Sequence, residues 1–288
     1  MNKKNSLAVL LPVMLCFFTM GFVDLVGIAS NYVQKDLGLS DAMLKALEKK
    51  GYGWPTTIQA EAIPHFMQWR DVIAKAPTGT GKTFAFGIPM IEHIDAQLEA
   101  VQGLILAPTR ELAIQIGDEL RGLLTYYSGI RVAVLYGGAG IVGQAKQLEK
   151  KPQIVVATPG RLMDHYNRKT IRLDKIQTVV LDEADRMLDM GFFKDVTRII
   201  EKVKNRRNLG LFSATISQEV MTVSWMYQRD EVEITVEPKQ EDRPDIDQFS
   251  LTVSPLEKAE TYDGSQAAGP YGTVQPGLCP ELRGKEDR

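Results

Sequence analysis

Cysteine is scarce in this chain. Cys16 and Cys279 are the only two among 288 residues, and they lie near opposite ends, outside the patterned middle. That excludes a disulfide framework and a metal-type cysteine pair. Histidine is almost as rare: His65, His93 and His165 are scattered without ligand spacing, whereas metal centres cluster their ligands. No excess of charge of either sign exists, with 34 basic against 36 acidic side chains and an isoelectric point near 6.0. Nucleic acid held over a broad electrostatic surface calls for a more basic protein, so any such contact here is expected to be local and built from particular loops. No repeat at solenoid periods is present either.

What is there falls into unlike stretches. Leu7 to Ala29 is strongly apolar, with Asp24 as its only charge and with Lys3 and Lys4 before it. The run is long enough to cross a bilayer as a single helix, with the positive residues on the expected cytoplasmic side. A signal peptide fits less well, because no small-x-small cleavage site stands in position after it. Residues 1–36 resemble the first membrane helix of sugar permeases of the major facilitator family, and they are expected to be foreign to the rest of the chain. A second membrane span is missing from the sequence, so a transporter is not expected. Membrane association through residues 7–29 is the alternative to a cytoplasmic location.

From Leu37 to Glu260 short β-branched runs alternate with longer amphipathic stretches. Strands are expected at Val72–Lys75, Gly103–Ala107, Arg131–Tyr136, Ile154–Ala157, Thr178–Leu181, Leu209–Phe212 and Glu231–Val236. Helices are expected at Asp41–Lys50, Thr83–Gln97, Arg110–Tyr126, Arg161–Arg168, Phe193–Lys204 and Gln218–Met226. Such alternation predicts an α/β fold, a parallel sheet with helices on both faces. Continuous apolar runs such as Thr178-Val179-Val180-Leu181 suit strands buried on both sides. One domain is expected over residues 37–240 and a linker over 241–260. The Gly- and Pro-rich residues 261–288 are expected to be a disordered tail.

Ala76-Pro77-Thr78-Gly79-Thr80-Gly81-Lys82-Thr83 comes after an expected strand and opens an expected helix, the context that a phosphate-binding loop requires. Glycines let backbone N–H groups wrap around phosphate oxygens, and the helix N-terminus adds partial positive charge. Lys82 would reach the β- and γ-phosphates and the Thr83 hydroxyl would hold Mg²⁺. Asp182-Glu183-Ala184-Asp185 comes directly after a buried strand, where ligands of α/β sheets sit. There Asp182 can reach the same Mg²⁺, and Glu183 can orient or deprotonate an attacking water. Four further strands end in short polar clusters: Pro108-Thr109-Arg110-Glu111-Leu112, Gly137-Gly138, Thr158-Pro159-Gly160-Arg161 and Ser213-Ala214-Thr215. All should open on the carboxyl edge of one sheet.

In order, with Gly51-Tyr52-Gly53-Trp54-Pro55-Thr56-Thr57-Ile58-Gln59 ahead of them, these clusters resemble the motifs of DEAD-box ATP-dependent RNA helicases, from the Q motif to motif III. The resemblance covers about Leu37 to Glu260 and implies the first of that family's two RecA-like domains, a phosphate-loop NTPase fold. It implies ATP and Mg²⁺ as cofactors and RNA as the sequence-independent partner. It gives Tyr52, Thr56 and Gln59 to adenine, and Thr78, Gly79, Thr80, Gly81, Lys82 and Thr83 to the phosphates. It gives Thr83 and Asp182 to the metal, and Lys82, Asp182 and Glu183 to catalysis. Pro108, Thr109, Arg110, Gly138, Thr158, Pro159, Gly160 and Arg161 would grip RNA phosphates. Asp185, Ser213 and Thr215 would couple the two sites.

Three departures from the pattern stand out. Thr57 stands where the family has Pro, and Gln34 where it has an aromatic that stacks on adenine. Asp247–Glu260 resembles the start of the second RecA-like domain, but the sequence holds no His-Arg-x-Gly-Arg-x-Gly-Arg segment after it. ATP hydrolysis coupled to unwinding is thus expected to be incomplete in this chain, unless a second RecA-like domain acts in trans. The ends of the chain look like those of a recombined or frameshifted product. The expected location is cytoplasmic. The alternatives are a non-catalytic nucleotide- or RNA-binding module, or a fusion product tethered to a membrane.

Overall fold

The structure, a computed structural model, describes residues 37–237. The apolar run Leu7–Ala29, Gln34, the segment Asp247–Glu260 and the tail 261–288 lie outside the described residues. Among the described residues no helix is long and apolar enough to cross a membrane.

Seven strands form one sheet: β1 (Val72–Lys75), β2 (Gly103–Leu106), β3 (Val132–Leu135), β4 (Ile154–Ala157), β5 (Thr178–Asp182), β6 (Asn208–Ser213) and β7 (Val232–Thr235). Their order is β3-β4-β2-β5-β6-β1-β7, and every pairing is parallel. All seven coincide with the runs picked out from the sequence, within a residue or two at each end. The reason is that β2, β4, β5 and β6 are buried along their whole length, so their sequences must be apolar throughout.

Alternation along each strand deals its side chains to two cores. Ile105, Val180 and Phe212 enter one. Leu104 and Leu106, Val179 and Leu181, and Leu209 and Leu211 enter the other. The first core is closed by α1 (Asp41–Lys49), α2 (Thr57–Met67), α3 (Lys82–Glu92) and α4 (Arg110–Leu123). The second is closed by α5 (Ile141–Glu149), α6 (Pro159–Asn167), the short α7 (Ala184–Met187), α8 (Phe193–Lys202) and α9 (Gln218–Tyr227).

Helices α2, α5 and α7 were not among those picked out from the sequence. Helix α2 carries Pro64 in its interior, a residue that usually ends a helix. It persists because Ile58, Ala62, Ile63 and Phe66 are buried against the sheet. Gly210 on β6 makes room for this helix, since a Cβ there would collide with the Phe66 ring. Helix α5 buries only Gln144 and Leu148, too few for an apolar stripe to show.

At the amino edge Asp71, just before β1, is buried and unusually well bonded. Its Oδ1 accepts from Leu209 N and its Oδ2 from Arg229 N, both at 2.6 Å, and its carbonyl accepts from Val232 N at 2.9 Å. One residue thus ties β6, the end of α9 and β7 to the start of β1. Burial pushes its carboxyl above the ordinary value, against the pull of those N–H groups and of Arg206 and Arg229.

Candidate functional site

An all-parallel sheet puts every strand's carboxyl end on one edge, and the strand order divides that edge in two. Neighbours β5, β6 and β1 bring together Asp182–Asp185, Ser213–Thr215 and the loop Ala76–Thr83. Neighbours β3, β4 and β2 bring together Gly137–Gly138, Thr158–Arg161 and Pro108–Leu112.

In the first half, the chain leaves β1 at Lys75, wraps through Gly79 at φ +85° and Gly81 at φ +90°, and enters α3 at Lys82. Both angles lie in the left-handed region, which costs a side-chain-bearing residue about 1–2 kcal/mol. Lys82 is only 7 % exposed, and its Nζ donates to Ala76 O at 3.0 Å, inside the loop. The Thr80 hydroxyl donates to Pro77 O at 2.8 Å and keeps the loop compact. Thr83, one position along, is half-buried at the helix entrance.

Gln59 of α2 lies against this loop. Its Oε1 accepts from Thr56 N at 3.0 Å and its Nε2 donates to Gly81 O at 3.1 Å. A Cβ on Gly81 would collide with that amide nitrogen, so glycine is needed here for approach as well as for φ. An amide has two donor hydrogens and two oxygen lone pairs, so each end of Gln59 keeps one free for a ligand. The half-exposed Tyr52 sets the edge of its ring on Phe84 of α3, with centroids 4.9 Å apart. A cavity of about 510 Å³ opens beside it, walled by α1, the turn Gly51–Pro55, Gln59 and Phe84.

Asp182 closes β5 and is almost wholly buried. Burial pushes its carboxyl up to about 6, and the charge of Lys82 pulls in the opposite direction. Its Oδ1 accepts from Glu183 N at 3.1 Å. Glu183 itself stands at φ +48°, a left-handed conformation rare for a residue with a side chain. Strain of this kind gathers at functional positions. The Glu183 carboxylate takes one hydrogen bond from Arg186 Nη1 at 3.2 Å.

Asp185 joins β5 to β6. Thr215 gives its carboxylate both a backbone N–H and a hydroxyl, and the Ser213 hydroxyl accepts from Asp185 N at 3.1 Å. Partial burial raises the Asp185 carboxyl, but the hydrogen bonds around it outweigh burial and hold it below the ordinary value.

In the second half Thr109 caps α4, its hydroxyl accepting from Leu112 N at 3.3 Å, so that Pro108 and Arg110 flank the helix entrance. The Arg110 guanidinium stacks over the Tyr136 ring at 4.9 Å. Gly138, at φ +80°, lies close under Arg110 Nη1. Thr158 is the N-cap of α6 with Pro159 at its first position, ahead of Gly160, and its own N–H donates to Leu135 O at 2.9 Å. Arg161 Nη1 donates to Ala139 O at 2.9 Å and closes the other side of the Gly137–Gly138 turn.

The candidate residues thus form two groups on one edge. Four neighbours gave no motif signal in the sequence. Tyr136 supports Arg110, and beneath the turn run Gln144, His165 and Thr170. Gln144 Nε2 donates to Tyr136 O at 2.9 Å, Gln144 Oε1 meets His165 Nε2 at 3.3 Å, and His165 Nδ1 meets Thr170 Oγ1 at 2.8 Å. Spacing could not find Gln144 and His165, because polar residues on a helix look like a solvated face until the fold buries them.

Comparison with known proteins accords with this geometry. A DEAD-box ATP-dependent RNA helicase, CshA of Bacillus cereus, is 45 % identical over 224 residues, covering 78 % of this chain and 42 % of its own length. The ATP-dependent RNA helicase DeaD of Escherichia coli is 43 % identical over 225 residues, covering 78 % of this chain and 36 % of its own length. The chain therefore spans less than half of either relative. The crystal structure of a DEAD box protein from Methanococcus jannaschii superposes with a TM-score of 0.66 at 43 % identity, over 69 % of this chain and 54 % of that one. The family model described as DEAD/DEAH box helicase matches residues 56–223, which takes in the loop Ala76–Thr83, Asp182–Asp185 and Thr215, and the chain belongs to that family.

Proposed function

We propose that this chain is the nucleotide- and RNA-binding core of an ATP-dependent RNA helicase, the first RecA-like domain of two. The observation that carries the reading is the strand order. It sets the loop Ala76–Thr83 and the buried Asp182 carboxylate on one half of the carboxyl edge, with Arg110, Arg161 and the exposed turn Gly137–Gly138 on the other.

In this reading Thr78, Gly79, Thr80 and Gly81 turn backbone N–H groups toward the phosphates of ATP, and Lys82 swings from Ala76 O to meet their charge. Tyr52, Thr56 and Gln59 take the adenine, Gln59 through the donor and the lone pair that its amide keeps free. Thr83 and Asp182 offer hard oxygen ligands of the type Mg²⁺ accepts, and the Asp182 carboxylate has lone pairs to spare beyond its bond from Glu183 N. Mg²⁺ held there would neutralise charge on the transferring phosphate. Glu183, at a strained position beside it, orients the attacking water. On the other half Pro108, Thr109, Arg110, Gly138, Thr158, Pro159, Gly160 and Arg161 hold a single RNA strand by its phosphates, which positions RNA without reading its sequence. Asp185, Ser213 and Thr215 link the two halves through β6.

A second RecA-like domain, in a longer chain or in trans, would complete hydrolysis and strand separation. The working place of this reading is the cytoplasm. Residues 7–29 would supply the anchor of a membrane-bound form, and recovery of the chain in the soluble fraction would rule that form out.

The test is binding of Mg²⁺–ATP and of single-stranded RNA by the 288-residue chain, beside Lys82→Ala. The expected result is saturable ATP binding, weakened at least tenfold by the substitution, with RNA binding kept. ATP binding untouched by Lys82→Ala would overturn the reading. RNA-stimulated hydrolysis in the same samples tells whether one domain suffices.

A further inference from the structure

We propose that Gln144 and His165 are positioning residues for RNA, holding the Gly137–Gly138 turn so that the Gly137 N–H faces outward; the proposal rests on the RNA-binding reading above. Both side chains are buried, Gln144 at 3 % and His165 at 0 % exposure. Polar groups are costly to bury unless bonded, and these two are bonded to each other and to the turn.

The direction of the bonds comes from chemistry. Gln144 uses its NH₂ on the Tyr136 carbonyl, so the end facing His165 is oxygen. His165 must then carry its proton on Nε2 and donate it to Gln144. Nδ1 is left without a proton and faces the Thr170 hydroxyl at 2.8 Å, whose single hydrogen also has the His165 carbonyl within reach at 3.0 Å. Two donors in series thus point from His165 through Gln144 toward the turn, with Thr170 beside them.

The end of that series sets the orientation of one peptide. Among the described residues no peptide bond is cis, and in a trans peptide the C=O and the next N–H point opposite ways. Fixing the Tyr136 carbonyl inward on Gln144 therefore aims the Gly137 N–H outward, away from α5. Gly137 and Gly138 are exposed, and neither N–H has a partner among the described residues. The same series steadies Tyr136, whose ring carries the Arg110 guanidinium. Arg161 holds the turn from its far side at Ala139 O. An outward Gly137 N–H beside two guanidiniums makes a fitting cradle for a phosphate. A purely structural pair would need no polar end at the turn, since a side chain of similar volume would fill the space.

The experiment compares the full-length wild type with Gln144→Met, which keeps the volume, and with His165→Gln, whose amide can still donate to Gln144. Three readouts are taken: affinity for a labelled single-stranded RNA, affinity for Mg²⁺–ATP, and backbone NMR order parameters of Gly137 and Gly138. Gln144→Met is expected to weaken RNA binding about tenfold, with ATP affinity within about twofold, and to lower both order parameters toward the flexible range below about 0.6. His165→Gln is expected to stay within about threefold of wild type for RNA. Unchanged order parameters in Gln144→Met would overturn the proposal, as would RNA and ATP affinities that fall together. Wild type that binds no RNA would sink the functional reading alone, and the order parameters would then decide the positioning by themselves.

Discussion

Thr215 donates twice to the same oxygen of Asp185, from its backbone N–H at 3.0 Å and its hydroxyl at 2.6 Å. The end of β6 is thereby fastened to the first turn of α7. These bonds favour the ionised carboxyl and outweigh the burial that opposes it, so Asp185 titrates below its ordinary 3.8. A depressed folded value means that the stabilisation is present above the unfolded value and is lost as pH falls through the folded one. Thr215→Val keeps the shape and the N–H but removes the hydroxyl. It should raise the Asp185 carboxyl toward 3.8 and cost about 0.5–1.5 kcal/mol at neutral pH. A carboxyl NMR titration beside urea melts at neutral and acid pH checks both. A stability loss that persists after Asp185 is protonated would show that the hydroxyl acts through something else.

Gly81→Ala should damage the proposed nucleotide site more than its size suggests. The added methyl meets Gln59 Nε2, and φ +90° strains any side chain. Gln59 must give up its bond to Gly81 O, and α2 loses its tie to the phosphate loop. The expected result is ATP affinity reduced at least tenfold with RNA affinity near wild type. Isothermal titration with each ligand measures this, and equal loss of both would point to general unfolding.

The sequence made much of this arrangement legible, because strands buried on both faces have no choice but to be apolar. β2, β4 and β5 are unbroken runs such as Gly103-Leu104-Ile105-Leu106, and Gly or a polar cluster ends each of them at the site. Parallel pairing is implied by the helices between them, so the shared carboxyl edge was readable as well. The order of strands along that edge was not, since β2 sits beside β5 through long-range contacts that no local pattern encodes. Helix α2 was hidden by Pro64, and it holds because Ile58, Ala62, Ile63 and Phe66 are buried, Phe66 over Gly210. Gln144 and His165 were hidden because burial, not residue type, sets them apart from surface polar groups.

Asp71 should show what a buried acceptor is worth. Asp71→Ala leaves the N–H groups of Leu209 and Arg229 without partners, at about 1–3 kcal/mol each. Asp71→Asn keeps one acceptor and should cost less. The folded carboxyl is raised, so the native state takes up its proton more readily than the unfolded chain does. Stability then falls as pH rises from the unfolded value near 3.8 to the raised one, and the cost is complete above it. Relative to Asp71→Asn, wild type should therefore gain stability as pH drops from neutral through that window. Urea midpoints of both proteins across the acid range test this, and a difference that stays flat would contradict the raised carboxyl.

Arg110 offers the sharpest test of how RNA is held in the proposed reading. Its guanidinium is carried on Tyr136 beside Gly138, and in the proposed reading it meets a phosphate rather than a base. A phosphate contact contributes to affinity through counterion release and is blind to sequence. Arg110→Gln should therefore weaken binding to the same degree for purine and pyrimidine homopolymers. It should also reduce the slope of log K against log salt by about 0.7, the value for one phosphate of a single strand. Salt titrations with two homopolymers measure both quantities. A loss confined to one homopolymer would mean that Arg110 touches a base, and an unchanged salt slope would mean that it touches no phosphate. Tyr136→Leu removes the platform but leaves the charge, so it should weaken binding less and keep the slope. That contrast separates the charge itself from the ring that aims it.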